Sequence, residues 1–133
     1  MLSIALCPAY STWTQRRKEQ VSRISEEEAR RRLSAELPSW GVQDGELHRQ
    51  YRTANWRVTQ FVANAIGFLA EAANHHPRLV LNYRSVDIFL HTHDVGGLTE
   101  KDLALAQQVE ETLNWPPDEG DVFGSPPKYW LRD

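Results

Sequence analysis

The chain has 133 residues, a formal net charge of −3, 41% hydrophobic residues and 25% charged residues. This length is typical of one globular domain with a compact core, and the slightly acidic balance argues against a protein that binds nucleic-acid phosphates. Cys7 is the only cysteine, which excludes an internal disulfide and a thiolate metal cage and fits a reducing compartment.

No apolar run in the sequence reaches the ~18–20 residues of a membrane span. The opening segment Leu2–Cys7 is a poor secretory signal, because it is short and no positive charge precedes it; a transit peptide is a weaker alternative. We therefore expect a cytoplasmic protein without a membrane anchor.

The pattern divides the chain into a leader (1–23), one domain (24–113) and a tail (114–133). The leader has no sustained hydrophobic period, so we expect it to be flexible or to make contacts. The tail is rich in proline, which favours an extended chain. It also carries four aromatic residues, Trp115, Phe123, Tyr129 and Trp130. We expect the tail to lie on a surface of this chain or of a partner.

Three helices are predicted from capping residues and apolar spacing. Ser25 begins a capping box that predicts a helix from about Glu26 to Leu37, and Thr99 with Asp102 predicts another that ends at about Leu113. Between them, Asn55 can cap a core helix from Trp56 to about Ala73. Gly67 interrupts the core helix, and we expect it there because something packs closely against it.

Two pairs of strands are predicted between the helices. Asp44-Gly45 is typical of a two-residue turn between strands Trp40–Gln43 and Glu46–Thr53. Pro77 favours an extended chain, which predicts a strand Leu79–Arg84 and a return strand from Val86 to about His93.

Alternation predicts which strand residues point inward. Leu47, Arg49 and Tyr51 share one face of their strand, which leaves His48 on the wetter face without an assigned role. In the return strand, one face carries Val86, Ile88, Leu90 and Thr92, and the other carries Asp87, Phe89, His91 and His93.

The predicted order is helix, strand, strand, helix, strand, strand, helix. It indicates an α+β fold (α-β-β-α-β-β-α), a four-stranded antiparallel sheet with three helices packed on one face. The second face of the sheet must then be covered by something else or stay polar as a site.

Four of the five histidines lie between Glu71 and Asp102. Imidazole titrates near pH ~6.5, so it can give and take a proton at neutral pH, and a carboxylate beside it fixes its tautomer or its charge. Glu71 and Asp102 bracket the cluster, which therefore suits proton transfer. A single histidine could instead simply satisfy local hydrogen bonds.

Two other chemistries fit the sequence less well. Metal binding is an alternative because His91 and His93 share a strand face, but adjacent histidines such as His75 and His76 rarely point at one ion and no H-E-x-x-H motif occurs. Nucleophilic catalysis is weaker, since Cys7 lies in a terminus and no serine lies in a nucleophile elbow.

The spacing within this stretch resembles the signature of the pterin-4a-carbinolamine dehydratase family, also called 4a-hydroxytetrahydrobiopterin dehydratase. Its positions are filled by Glu71, His75, His76, Pro77, Tyr83, His93 and Asp102. The resemblance extends over about 24–113 and includes Trp40, Asn55 and Gly97-Leu98-Thr99-Glu100. It leaves out both termini, and His91 has no assigned role.

The resemblance implies loss of water from a tetrahydropterin 4a-carbinolamine, which gives the quinonoid dihydropterin and recycles the pterin cofactor of aromatic amino acid hydroxylases. It implies no metal and no cofactor, since the pterin is the substrate. Such a dehydration needs an acid for the leaving hydroxyl and a base for the N5 proton, which histidines can supply. The positions that match the family's catalytic histidines are His75, His76 and His93.

We expect His75 to be the principal acid/base, His93 its counterpart across the pocket, and His76 a residue that binds or orients the pterin. Glu71 lies one helical turn before His75 and could orient it. Asp102 could do the same for His93, or only cap a helix.

Trp40 and Tyr83 complete the expected supporting and substrate-binding set, as pocket wall or as core.

The resemblance also brings an alternative function. Relatives act without catalysis as dimerisation cofactors of a homeodomain transcription factor and as Rubisco assembly factors, so a binding or assembly protein is the second hypothesis. We expect a homodimer or homotetramer, from the family and because a small sheet has open edges. We expect no direct nucleic-acid binding.

Overall fold

The computed structural model describes residues 22–115, 122–124 and 131. Most of the predicted leader and much of the predicted tail therefore lie outside the described residues.

Within residues 22–115, three α-helices and four strands follow one another in the predicted order, which confirms the α+β class. They are α1 (Glu26–Glu36), β1 (Gly41–Gln43), β2 (Glu46–Arg52), α2 (Trp56–Ala73), β3 (Arg78–Asn82), β4 (Ser85–Leu90) and α3 (Glu100–Leu113). The strands form one sheet in the order β1-β2-β4-β3, and all neighbouring strands are antiparallel.

Local signals explain where these elements begin. The side chain of Ser25 accepts a hydrogen bond from the Glu28 backbone N–H at 3.1 Å, and that of Asn55 accepts one from the Val58 N–H at 3.1 Å. In the β1–β2 hairpin, Asp44 has φ 52° and Gly45 has φ 77°, which is the pair of positive angles that a type I′ turn requires. Both helix caps and the hairpin therefore match the prediction.

The core lies between the helices and one face of the sheet. Leu47, Arg49 and Tyr51 on β2 are buried, as are Val86, Ile88 and Leu90 on β4, while their alternate neighbours are more exposed. The predicted inward and outward faces of both strands are therefore correct.

The second face of the sheet stays polar. His48 Nε2 lies 2.8 Å from Asp87 Oδ1, and the His48 ring stacks on Phe89 with centroids 4.6 Å apart. On the other side of Phe89 the Arg78 guanidinium lies 3.8 Å from the ring centroid. His48 and Asp87 thus pair on this face, and the Phe89 ring lies between an imidazole and a guanidinium.

Several predicted boundaries were wrong near the histidine cluster. β4 ends at Leu90, and His93 lies in a short 3₁₀ turn (His93–Val95) rather than at a strand end. The reason is a tight loop: the Thr92 N–H donates to the Gly97 carbonyl at 2.8 Å, and Gly96 has φ 60°. The chain thus reverses one residue before His93.

The shifts in β3 and α1 are smaller. β3 runs from Arg78 to Asn82, so Tyr83 and Arg84 form the turn instead of extending the strand. α1 ends at Glu36, and Leu37 caps it.

The expectation that Gly67 packs closely was also wrong within the single chain. A Cβ added at Gly67 would meet no atom of residues 22–115, 122–124 and 131 within 4 Å, so among these residues nothing covers this side of α2.

No helix in the described part of the chain is long and apolar enough to cross a membrane.

Candidate active site

His75 and Asp102 form a close pair between α2 and α3. His75 Nε2 lies 2.6 Å from Asp102 Oδ1, the His75 side chain is 10% exposed, and that of Asp102 is fully buried. The turn after α2 places His75 here, because Asn74 adopts a left-handed conformation (φ 49°) and the His75 N–H donates to the Ala70 carbonyl. Asp102 therefore pairs with His75 and not with His93.

Asp102 accepts further hydrogen bonds on its second oxygen. Oδ2 accepts from the Thr92 hydroxyl at 2.9 Å and from the Thr99 backbone N–H at 2.9 Å, which completes the predicted capping box. The hydroxyls of Thr92 and Thr99 lie 2.8 Å apart. The carboxylate thus serves as helix cap and as histidine partner at once.

Glu71 pairs with His76 and not with His75. Glu71 Oε2 lies 2.8 Å from His76 Nε2, but the side chains are 82% and 58% exposed. Water screens such a pair, so its interaction is much weaker than that of the buried pair.

His93 is exposed, and its ring meets the His91 ring edge to face, with centroids 4.1 Å apart. Thr92 lies between them in the chain and bonds to Asp102. The loop that carries His93 is therefore tied to the His75 partner.

Trp40 and Tyr83 lie apart from the pair. Trp40 is 5% exposed in the core and donates its Nε1–H to Glu110 Oε1 at 2.9 Å. Tyr83 is 62% exposed in the β3–β4 turn, at the opposite end of β3 from the histidine pair. A five-residue strand spans roughly 16 Å, so the single chain does not bring Tyr83 to His75.

His75 lies on the wall of a cavity of about 520 Å³ between α2 and α3. The lining is Leu69, Ala72, Ala73, His75, Lys101, Ala104, Leu105 and Gln108. An apolar cleft of this size with a few polar groups is typical of a small-molecule site. Among the described residues, no group of three or more His, Cys, Asp and Glu side chains is arranged to hold a metal ion.

A second polar cluster lies around Glu110 on α3 and was not predicted from the sequence. Glu110 Oε1 accepts hydrogen bonds from Trp40 Nε1, Arg49 Nε at 2.8 Å and the Tyr51 hydroxyl at 2.9 Å, and Glu110 also bonds to Asn114. Burial and the neighbouring carboxylate raise the pKa of Tyr51. The sequence feature that could have predicted this cluster is a pair of opposite charges on apolar faces. Arg49 lies on the inward face of β2, and Glu110 lies within the apolar stripe of α3.

Comparison with known proteins gives one consistent result. The family model for pterin 4 alpha carbinolamine dehydratase matches residues 22–112. A protein of Aquifex aeolicus provisionally named pterin-4-alpha-carbinolamine dehydratase is 42% identical over 93 residues, which cover 70% of this chain and 93% of the relative. A protein of Chloroflexus aurantiacus with the same provisional name is 43% identical over 91 residues, or 68% of this chain and 97% of the relative.

Among solved structures, a transcriptional coactivator/pterin dehydratase from Brucella melitensis aligns with a TM-score of 0.62 and 27% identity. The alignment covers 68% of this chain and 97% of that chain. The match of the family model over most of the chain, together with these relatives, shows that the chain belongs to the pterin 4 alpha carbinolamine dehydratase family.

Proposed function

We propose that this protein dehydrates 4a-hydroxytetrahydrobiopterin, with the His75–Asp102 pair as its principal acid/base. The main support for the proposal is the setting of His75. Its nearly buried imidazole bonds to the fully buried Asp102 carboxylate at 2.6 Å and lines a cavity large enough for a small molecule. The family membership supports the substrate class.

The proposed reaction couples two proton transfers to cleavage of the C4a–O bond. The hydroxyl on C4a takes a proton and leaves as water, the N5–H proton goes to a base, and a C4a=N5 double bond forms. No electrons are exchanged, so the reaction requires no redox cofactor, and in this proposal side chains supply both proton transfers without a metal ion. One imidazole can donate the first proton and another can accept the second.

The histidines differ in setting, which supports different roles. His75 is held by a buried carboxylate and is the principal acid/base in this proposal. His93, on the loop tied to Asp102 through Thr92, is its counterpart. His76 is exposed beside Glu71 and is suited to bind or orient the pterin. In the cell, such an activity would recycle the pterin cofactor of aromatic amino acid hydroxylases. We propose that the protein works in the cytoplasm.

The test is the dehydration of freshly generated 4a-hydroxytetrahydropterin, followed by ultraviolet absorbance with and without a chelator. We expect acceleration that survives the chelator. Failure of the folded wild type to accelerate the reaction would exclude the enzyme, and loss of acceleration with the chelator alone would indicate a metal site.

The second candidate is a binding or assembly protein on the same fold. It is favoured by the exposed apolar side chains of α2, with Phe61 51% and Phe68 74% exposed, and by the similarity to the Brucella protein, which is described as a transcriptional coactivator/pterin dehydratase. The kinetic test separates the candidates, because a scaffold with a vestigial pocket would not accelerate dehydration.

The same surface supports a homodimer or homotetramer. Phe61 and Phe68 lie seven residues apart on α2 and expose their rings on the same side of the helix, and the edge strand β3 exposes Val80 and Leu81. An unpaired strand edge with apolar residues can associate with other chains and aggregate. Pairing with a second copy of this chain would cover the edge.

A further inference from the structure

The hydrogen bonds around Asp102 all run in one direction, toward the carboxylate. A carboxylate only accepts, so the Thr92 hydroxyl must donate its single proton to Oδ2. The Thr92–Thr99 contact at 2.8 Å must then have Thr99 as donor. The Thr99 oxygen in turn accepts from the Lys101 backbone N–H at 3.2 Å. The result is an oriented chain from the first turn of α3, through two hydroxyls, to Asp102.

The same rule, that a carboxylate only accepts hydrogen bonds, decides which nitrogen of His75 carries a proton. Oδ1 of Asp102 lies 2.6 Å from Nε2, and an acceptor at that distance requires an N–H on Nε2. In the neutral ring the lone pair is then on Nδ1. Nδ1 has no hydrogen-bond partner within the described part of the chain, and His75 lines the cavity.

We infer that Nδ1 of His75 is the nitrogen that exchanges a proton with the ligand, and that Thr92 is a positioning residue that enforces this tautomer through Asp102. Thr92 is 4% exposed and Asp102 fully buried, so water does not replace the threonine hydroxyl. Without that hydroxyl, Oδ2 loses a donor, and the carboxylate can turn or take up a proton. Asp102 then no longer forces the proton of the neutral His75 ring to stay on Nε2, and the second tautomer becomes populated.

This inference rests on the proposed function for its catalytic part, but the tautomer can be measured without substrate. Two-bond ¹H–¹⁵N correlation spectra of the histidine rings report which nitrogen is protonated. We expect a single wild-type tautomer for neutral His75, with the proton on Nε2. A proton on Nδ1 would overturn the inference even if the protein dehydrates pterins, and absence of dehydration would leave this spectrum unaffected.

Variants of Thr92 test its role. Thr92→Val keeps the shape and removes the hydroxyl, and we expect mixed His75 tautomers and an about 10-fold lower kcat, with KM changed less than about twofold. This loss is small beside the ~10²–10⁴-fold contribution of a general acid/base. Thr92→Ser keeps the hydroxyl and is expected to restore both readouts.

The chain offers a matched control in a second buried threonine pair. Thr59 Oγ1 lies 2.6 Å from Thr53 Oγ1 and donates to the Tyr83 carbonyl, away from His75. Thr59→Val is expected to leave the tautomer and kcat unchanged. If Thr92→Val does not fold, Thr92→Cys, whose thiol is a weaker donor, should give intermediate values. Wild-type kcat and a single tautomer in a folded Thr92→Val or Thr92→Cys protein would refute the role of Thr92.

Discussion

At the scale of single residues, two histidine–carboxylate pairs of similar length lie in different environments. The His75–Asp102 pair at 2.6 Å is almost excluded from water, whereas the His76–Glu71 pair at 2.8 Å is largely exposed. Electrostatic interactions weaken steeply with solvent exposure. The buried pair should therefore dominate the chemistry although both pairs contain the same types of group.

The first prediction compares these two carboxylates. Asp102→Asn removes the charge that holds the His75 ring, so we expect kcat for dehydration to fall by about 100-fold, within the range of a general acid/base contribution. Glu71→Gln makes the same chemical change at an exposed site, and we expect kcat to fall by less than about threefold. Equal losses in both variants would contradict the distinction; stopped-flow absorbance gives the rates.

The second prediction concerns the buried Tyr51. Burial and the Glu110 carboxylate raise its pKa in the folded protein, so above pH ~10 the unfolded state releases a proton that the folded state retains. This contribution to stability is complete below pH ~10 and is lost as the pH rises further. We expect Tyr51→Phe to have a flatter decline of the unfolding free energy above pH ~10, measured with urea. Tyr83→Phe, at an exposed tyrosine, should follow the wild type.

The candidate residues could be predicted from the sequence, but their pairing could not. Spacing along α2 suggested Glu71 with His75, yet the turn at Asn74 directs His75 toward α3. Asp102 approaches His75 only because the Thr92–Gly97 loop turns the chain back. Both effects depend on tertiary contacts that residue spacing does not contain.

At the scale of elements, Glu110 connects α3 to the sheet. Its carboxylate accepts hydrogen bonds from Trp40 before β1 and from Arg49 and Tyr51 on β2, and the Arg49 and Glu110 side chains are 9% and 13% exposed. A buried acceptor that serves several donors is costly to remove, because each donor loses a hydrogen bond that it made away from water. This cluster should therefore contribute more to stability than any exposed ion pair of the helices.

The third prediction follows for Glu110→Ala. We expect a loss of about 3–5 kcal/mol in the free energy of unfolding, because Trp40, Arg49 and Tyr51 all lose the acceptor that they share at a nearly buried site. Glu111→Ala removes the adjacent, exposed carboxylate and should change the free energy by less than about 0.5 kcal/mol. Urea denaturation measures both, and a loss below about 1 kcal/mol in Glu110→Ala would show that the cluster matters little.

Element boundaries were predictable wherever the signal was local. The caps at Ser25, Asn55 and Thr99 and the Asp44-Gly45 turn are at their predicted positions. The end of β4 was not predicted, since alternation continues through His93 while the loop closure at Gly97 ends the strand.

At the scale of the whole molecule, the outer surface of α2 carries an exposed glycine and an exposed phenylalanine that contacts within a single chain do not explain. A glycine in an exposed helix costs about 1 kcal/mol relative to alanine, yet in the described part of the chain a Cβ at Gly67 would meet nothing within 4 Å. Phe68 beside it is 74% exposed. A second copy that packs here would account for both residues.

The fourth prediction tests this interface. Phe68→Glu places a charge on the α2 face, and we expect the protein to become monomeric in analytical ultracentrifugation while it keeps its circular dichroism spectrum. Ala35→Glu, on the exposed side of α1, should leave the assembly intact. A wild type that sediments as a monomer would contradict the proposed homo-oligomer directly.

The role of His75 as the principal acid/base can be tested by the rate of 4a-hydroxytetrahydropterin dehydration by wild type, His75→Ala and His93→Ala, with chelator present. We predict that the wild type accelerates the reaction and that His75→Ala loses at least about 100-fold of that acceleration, as expected for a general acid/base. His93→Ala should also lose most of it, as the counterpart of His75. A folded His75→Ala protein with the wild-type rate would contradict the assignment of His75 and Asp102 as the catalytic pair.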